Sequence, residues 1–211
     1  MDGVPLVYVT GISGAGKSAV CDELNRRGYE AHDTDQDENA VWVNRKTGEV
    51  KTVAGAADRT RPGWLDDQEW RLVPSKVQAL AGRAGERLVF LCGSTANEGE
   101  VWQLFSRVIY LAIDEQTLRD RLASRTSNDF GKTPTELAAI LSWHQVGEAD
   151  YERFGAAIVV PVRPLRCATS LTTCSELRVS SFADSTAPSA PSSRLPSRIR
   201  VPCRSGRRGG G

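Results

Sequence analysis

Short apolar runs alternate with amphipathic stretches from the N-terminus to about residue 164. Pro5–Thr10 is continuously apolar and β-rich and ends at Gly11, the pattern of a strand buried on both faces. A helix is predicted from Gly16 to Arg27, with Ala19, Val20 and Leu24 on one face and Gly28 as its stop. Tyr29–His32 reads as a second strand leading into the acidic turn Asp33-Thr34-Asp35. Ala40–Val43 and Glu49–Val53 flank Asn44–Gly48 as a hairpin, and Ala54–Gly63 reads as a polar loop. Pro74 opens a helix to about Ala84, and Arg87–Cys92 is the next strand, ended by Gly93. Asn97 is placed to cap a short helix carrying Val101, Trp102, Leu104 and Phe105, and Val108–Ile113 follows as a strand. Asp114 caps a helix through about Arg125, with Leu118 and Leu122 one turn apart. Thr133-Pro134-Thr135-Glu136 has the form of a capping box and opens a long helix to about Gly155, before a last strand, Ala156–Val160. Strands alternating with helices predict an α/β fold, a parallel sheet of about five strands flanked by helices.

The periodicity stops at Leu165, which divides the chain into a domain over residues 1–164 and a Ser/Arg/Pro/Gly tail over 165–211. Such text cannot bury enough apolar surface to fold and predicts a disordered tail. Charge changes at the same place. The 211 residues carry a net charge of only +1, yet the tail holds eight Arg and no Lys against two acids. The body is therefore mildly acidic and gives no sign of a nucleic-acid partner; only the basic tail could touch RNA or an acidic surface. The family resemblance given below implies a helix after the last strand, so the tail reads as a frameshifted form of that helix, with a genuine basic disordered tail as the rival reading. Resequencing that found a clean open frame would remove the frameshift.

Composition elsewhere is ordinary: 40% hydrophobic and 25% charged, enough for a real core. Five cysteines without CxxC spacing do not make a disulfide framework and point to a reducing, cytoplasmic setting. No signal-peptide pattern and no apolar run long enough for a membrane span is expected. His32 and His144 lack partners at metal-binding spacing. Asp129-Phe130-Gly131 spells a protein-kinase magnesium motif, but no His-Arg-Asp loop accompanies it.

One motif carries specific chemistry. Gly11-Ile12-Ser13-Gly14-Ala15-Gly16-Lys17-Ser18 fits the phosphate-loop pattern in full, between a predicted strand and a predicted helix. Its glycines let backbone N–H groups curl inward toward phosphate oxygens, and the helix N-terminus adds its positive end. Contacts to a nucleoside triphosphate are expected from Gly11, Ser13, Gly14, Ala15, Gly16, Lys17, Ser18 and Ala19. Lys17 should reach the β- and γ-phosphates and the Ser18 hydroxyl should bind Mg²⁺. The chain lacks the Asn-Lys-x-Asp element of GTP-binding switches, and no acidic pair ends the strand Arg87–Cys92 as in motor ATPases.

With this early phosphate loop, Asp33-x-Asp35 after the second strand, and Leu118-Arg-Asp-Arg-Leu-Ala-Ser-Arg125 before the polar stretch Thr126–Lys132, the body resembles a known group. It is similar to the P-loop small-molecule kinases of the nucleoside monophosphate kinase, shikimate kinase and gluconate kinase type, and to actinobacterial ATP-binding proteins described as nucleoside or broad-specificity kinases. The resemblance covers about residues 4–164 and implies a P-loop fold with a lid and an acceptor-binding insertion. It implies ATP and Mg²⁺ as cofactors and phosphoryl transfer to a nucleoside, nucleotide or sugar-like hydroxyl. By position, Asp33 would help hold Mg²⁺ and Asp35 would orient the acceptor hydroxyl, unless both simply solvate a turn. Arg121 and Arg125, four apart on one helical face, would clamp the transferring phosphate or form a charged surface. Arg163, beside Pro164, would stack on adenine, Gly93-Ser94 would line the acceptor site, and Lys132 is a further lid cation. Arg59, Arg61 and Arg71 are candidates for an anionic acceptor. Trp42, Trp64 and Trp70 would stack on a base or sugar, or belong to the core. A P-loop ATPase or regulatory nucleotide-binding module without a small acceptor is the alternative, and a binding protein working through its basic tail is another.

Overall fold

The computed structural model describes residues 6–51, 56–59, 61–84, 87–126, 128–153, 157–165, 174–178 and 198–201. The elements in chain order are β1 (Leu6–Thr10), α1 (Lys17–Arg26), β2 (Glu30–Asp33), β3 (Ala40–Asn44), β4 (Val50–Lys51), α2 (Ala56–Arg59), α3 (Trp64–Asp67) and β5 (Gln68–Leu72). There follow α4 (Pro74–Arg83), β6 (Val89–Cys92), α5 (Glu98–Val101) with one 3-10 turn after it, β7 (Arg107–Ala112), α6 (Glu115–Ser124), α7 (Pro134–Arg153) and β8 (Ala157–Leu165). Five strands run parallel in the order β2-β6-β1-β7-β8, which matches the expected α/β sheet. Most of the tail lies outside the described residues. Two short strands in it, β9 (Cys174–Arg178) and β10 (Arg198–Val201), extend the sheet antiparallel from β8.

All five residues of β1 are buried, as its unbroken apolar text requires. Because side chains alternate across the sheet, β1 feeds two separate cores. Val7 and Val9 join Phe90, Leu111, Val20, Leu24, Leu118 and Leu122 beneath α1 and α6. Leu6 and Tyr8 join Val89, Leu91, Val77 and Leu80 on the α4 side. Burying each aliphatic side chain in these layers contributes roughly 1.5–3 kcal/mol, so the layers fix the strand ends from which the loops emerge.

Two local expectations change. Asn97 precedes α5 but does not cap it with its side chain. Its carboxamide instead pairs with the backbone of Leu72, accepting from N at 2.7 Å and donating to O at 3.1 Å. A buried strand end next to an Asn offers two backbone groups at once, a better match than one helix N–H. Glu136 likewise does not reach back to close the capping box; Thr133 Oγ1 accepts from Glu136 N at 3.2 Å, while the Glu136 carboxylate turns to Gly131 N and Arg59. The segment 64–73, for which no element was expected, forms α3 and β5. β5 pairs with β3, giving a separate three-stranded sheet β4-β3-β5 over the cleft. The expected loop 54–63 contains α2, and residues 52–55 and 60 lie outside the described residues.

On α1, Arg26 and Arg27 converge on Glu23, whose side chain is 1% exposed. Hydrogen bonds from Arg26 foremost bring its pKa to about 2, against 4.5 for a free glutamate. A folded pKa below the unfolded one means the contribution is full above 4.5 and is lost as pH falls toward 2. The stability gap between the wild type and Glu23→Gln should therefore narrow in urea titrations on acidification from about pH 6 to about pH 3. A gap that stays constant would show that the carboxylate's charge does not matter there.

Candidate functional site

The phosphate loop leaves the C-terminal end of β1, the strand at which the sheet order reverses, so it opens on the crevice where α/β sheets bind ligands. Gly14 sits at φ 96°, and an added Cβ would lie 2.9 Å from Leu118 Cδ1. A side chain there is excluded both by the backbone and by α6 packed underneath. Lys17 Nζ donates to the carbonyls of Gly11 (2.8 Å) and Ile12 (3.0 Å) and so is folded into the loop. Burial lowers its pKa, while the carboxylates of Asp35, Asp33 and Glu98 hold the charge on. Ser18 and Ala19 line the same cleft.

Asp33 ends β2 buried and aims into this cleft; its Oδ1 accepts from Asp35 N at 2.9 Å. Asp35 opens on the cleft, yet surrounding protein strips enough hydration to raise its pKa. The charge of Asp33 acts the same way, and Lys17 opposes it. From the other wall, Arg121 Nη1 donates to Ala15 O at 3.0 Å and Arg125 Nη1 to Ser13 Oγ at 3.3 Å. Arg125 also donates to the Phe130 carbonyl, and its Nε is buried with no hydrogen-bond partner among the described residues. Burial lowers the Arg125 pKa.

These residues line one cleft of about 910 Å³. It is wide enough for a nucleotide and a second small molecule by the usual size of ligand sites. Gly93 and Ser94 line it as well; Gly93 N donates to Val9 O at 2.9 Å, and a Cβ on Gly93 would lie 2.1 Å from the Thr34 side chain. The cleft is also walled by Trp42 and Trp70, register partners on β3 and β5 whose rings are tilted by 51° with centroids 5.3 Å apart. Trp64 is buried behind Trp42 at 6.0 Å and belongs to the core, as one of the expected alternatives held.

Other candidates are placed elsewhere. Arg71 pairs with Glu69 and Glu100, and Arg61 is exposed over the Trp64 ring. Arg59 lines the cleft but bridges to Asp129 (2.6 Å) in the lid stretch and to buried Glu136 (3.3 Å) at the start of α7. Lys132 donates to Ala123 O at 2.9 Å. Arg163 falls in β8, and its side chain lies outside the described residues.

Two residues escape sequence reasoning. Glu98 is buried beneath the loop, where it accepts from Tyr8 Oη at 2.7 Å, Thr95 N at 2.9 Å, Thr10 Oγ1 at 3.3 Å and Tyr151 Oη. Burial raises its pKa. The Thr95-x-x-Glu98 spacing, in which a glutamate reaches back to an N–H three residues earlier, was the available signal. Gln68 is the other; its alternation with Trp70 and Leu72 marked a strand face.

Ser18 and Asp33 are the oxygen donors facing the phosphate end, and they fit Mg²⁺, which takes one or two protein oxygens together with phosphate oxygens. Among the described residues no group of three or more His, Cys, Asp or Glu could hold a metal alone. No described helix is long and apolar enough to cross a membrane.

A five-stranded parallel sheet of this order, with a phosphate loop after its central strand, defines a P-loop kinase-like, nucleotide-binding fold. The chain belongs to the AAA domain family, whose match spans residues 7–142. Among solved structures it is similar to shikimate kinase from Acinetobacter baumannii bound to shikimate (19% identity, 78% of this chain and 86% of that one, TM-score 0.49). It is also similar to an unliganded sugar kinase from Janibacter sp. HTCC2649 (18%, 75% and 85%, TM-score 0.43). A third likeness is to deoxyadenosine kinase from M. mycoides with bound dATP (15%, 74% and 90%, TM-score 0.42). All three are too distant for their substrates to transfer to this chain. No curated protein sequence matches it.

Proposed function

We propose that the protein is an ATP-dependent phosphotransferase that moves the γ-phosphoryl group to a hydroxyl of a small acceptor. The observation that supports this best is a single cleft whose lining joins two kinds of surface. A phosphate loop, two carboxylates and two arginines make one, and the indoles of Trp42 and Trp70 make the other. An ATPase that uses only water has no need of the indole-lined surface beside the phosphate loop.

In this reading Gly11, Ser13, Gly14, Ala15, Gly16 and Ala19 cradle the triphosphate, and Lys17 exchanges its two loop carbonyls for phosphate oxygens. Arg121 and Arg125 meet the charge that spreads over the transferring group. Mg²⁺ held by Ser18 and Asp33 would supply further charge neutralisation. Asp35 orients the acceptor O–H and takes its proton as the acceptor oxygen bonds to phosphorus and the bond to ADP breaks. Arg163 is retained as a wall for adenine, an assignment that rests on its place in β8 alone.

Asp35 must be ionised to act, so activity is lost as pH falls through its raised pKa, on a limb above the usual aspartate range. ADP formation from Mg·ATP with nucleosides, nucleoside monophosphates and polyols should rise with one acceptor. Asp35→Asn should lower that acceptor-dependent rate by about 10²–10⁴-fold and remove the acid limb. ADP formation indifferent to every acceptor would favour the ATPase or regulatory module instead.

A further inference from the structure

From the acceptor end of the cleft we infer that the acceptor is an uncharged nucleoside whose base slots against Trp42 and Trp70 and is read by the carboxamide of Gln68. This rests on the phosphotransferase reading above and narrows it.

Three observations carry it. The first is shape and surface. Trp42 and Trp70 are register partners on one face of the small sheet, both half-buried and both lining the cleft. Trp64, fully buried, packs edge-on against Trp42 and backs that wall. Flat, pre-set indole faces suit a planar ring, and base–aromatic stacking is a strong, orientation-setting contact.

The second is an unpaired polar atom. Gln68 lies one pleat from Trp70 on the same face, is buried and lines the cleft, and its Oε1 has no hydrogen-bond partner among the described residues. A buried acceptor left unpaired is costly, so such atoms are rare unless something else completes them. A carboxamide presents a donor and an acceptor side by side, the complement of a base edge such as the amino group and ring nitrogen of adenine. A polyol has no such planar donor–acceptor pair for the carboxamide to read.

The third is charge. Among the described residues two arginines line this half, and the better buried of them is committed. Arg45 lies 3.6 Å from Glu69, and Arg59 is held between Asp129 and Glu136. Glu136 is 2% exposed, so drawing Arg59 away to an anionic ligand would leave a buried carboxylate short of its counter-charge. Among the described residues the recess therefore offers a carboxylate or a 5′-phosphate only the half-exposed Arg45, itself beside Glu69. This disfavours nucleotides and sugar acids and favours a neutral acceptor whose hydroxyl points toward Asp35.

The test uses the full chain with two readouts. Quenching of tryptophan fluorescence is followed during titration with adenosine, cytidine, guanosine, thymidine, their 5′-monophosphates, shikimate and gluconate, and ADP formation is followed with the same compounds. The expected result is saturable quenching by at least one nucleoside, at least about tenfold weaker binding of its 5′-monophosphate, and turnover of that nucleoside. Gln68→Glu, which replaces the amide donor by an acceptor, should raise its KM about 10–100-fold with kcat changed far less. Gln68→Met, of similar length without the amide, should behave alike and serves if Gln68→Glu does not fold. Preference for a monophosphate, shikimate or gluconate would overturn the inference while leaving a kinase. Quenching by no nucleoside, or a KM untouched in both variants, would also overturn it. Nucleoside binding without any turnover would uphold the inferred site and sink the phosphotransferase reading.

Discussion

Replacing Lys17 by Met should abolish phosphoryl transfer, lowering kcat/KM by about 10³-fold or more, while leaving the fold standing. The ammonium is the one cation built into the loop itself, 2.8 and 3.0 Å from the carbonyls of Gly11 and Ile12. It faces the carboxylates of Asp33 and Asp35, which hold it charged against the pull of burial. Without it those two acids would meet the triphosphate unbalanced, so ground-state binding and transition-state stabilisation should both suffer. Met keeps the apolar stem, and the packing of Val20 and Leu24 on α1 does not involve the charge. The check is single-turnover transfer beside a thermal melt. A variant that melts like the wild type and transfers within tenfold of its rate would show that the loop does not act on phosphate as described.

The second large effect is expected at Gly93. A Cβ there would stand 2.1 Å from Thr34 Cγ2 and 2.5 Å from Thr34 Cβ, and Thr34 is buried with nowhere to retreat. Gly93→Ala should cost about 3 kcal/mol, as overpacking of a tight site does, or roughly 9 °C in Tm for a chain of this size. Activity should fall further than stability alone explains. Thr34 stands between Asp33 and Asp35, and an ångström's displacement of such groups costs about 10²-fold in rate. Gly99→Ala is the control, since its Cβ meets nothing within 4 Å and it lies in α5; it should be neutral or slightly stabilising. Equal melts for the two variants would mean that β6 and the Asp33–Asp35 turn approach less closely than described.

These two positions also show what the sequence revealed. The phosphate loop was readable because its chemistry is local: eight consecutive residues between a strand and a helix carry the whole device. The strands β1, β6 and β7 were readable for a similar reason, since burial on both faces leaves unbroken apolar text. The closeness of Gly93 to Thr34 was not, because it joins residues from neighbouring strands whose pairing the sequence does not state. β5 was missed because Gln68, on the inward face that Trp70 and Leu72 share, interrupts the alternation, and a polar residue at an inward position argues against a strand unless a ligand needs it. Asn97 takes the expected N-cap position, but the partner of its side chain was not readable, since Leu72 lies 25 residues away on β5. Arg59, Arg61 and Arg71 looked equally available for an anion. Only their carboxylate neighbours, or the Trp64 ring for Arg61, separate them.

The most direct measurement follows the terminal phosphate of γ-labelled ATP through a complete turnover with the best acceptor from the panel and identifies the labelled product by mass. Label recovered on an acceptor hydroxyl, in step with ADP and absent with Lys17→Met, is the predicted result. Label recovered only as inorganic phosphate, at a rate no acceptor changes, would contradict the account and leave a nucleotide-hydrolysing or nucleotide-sensing protein.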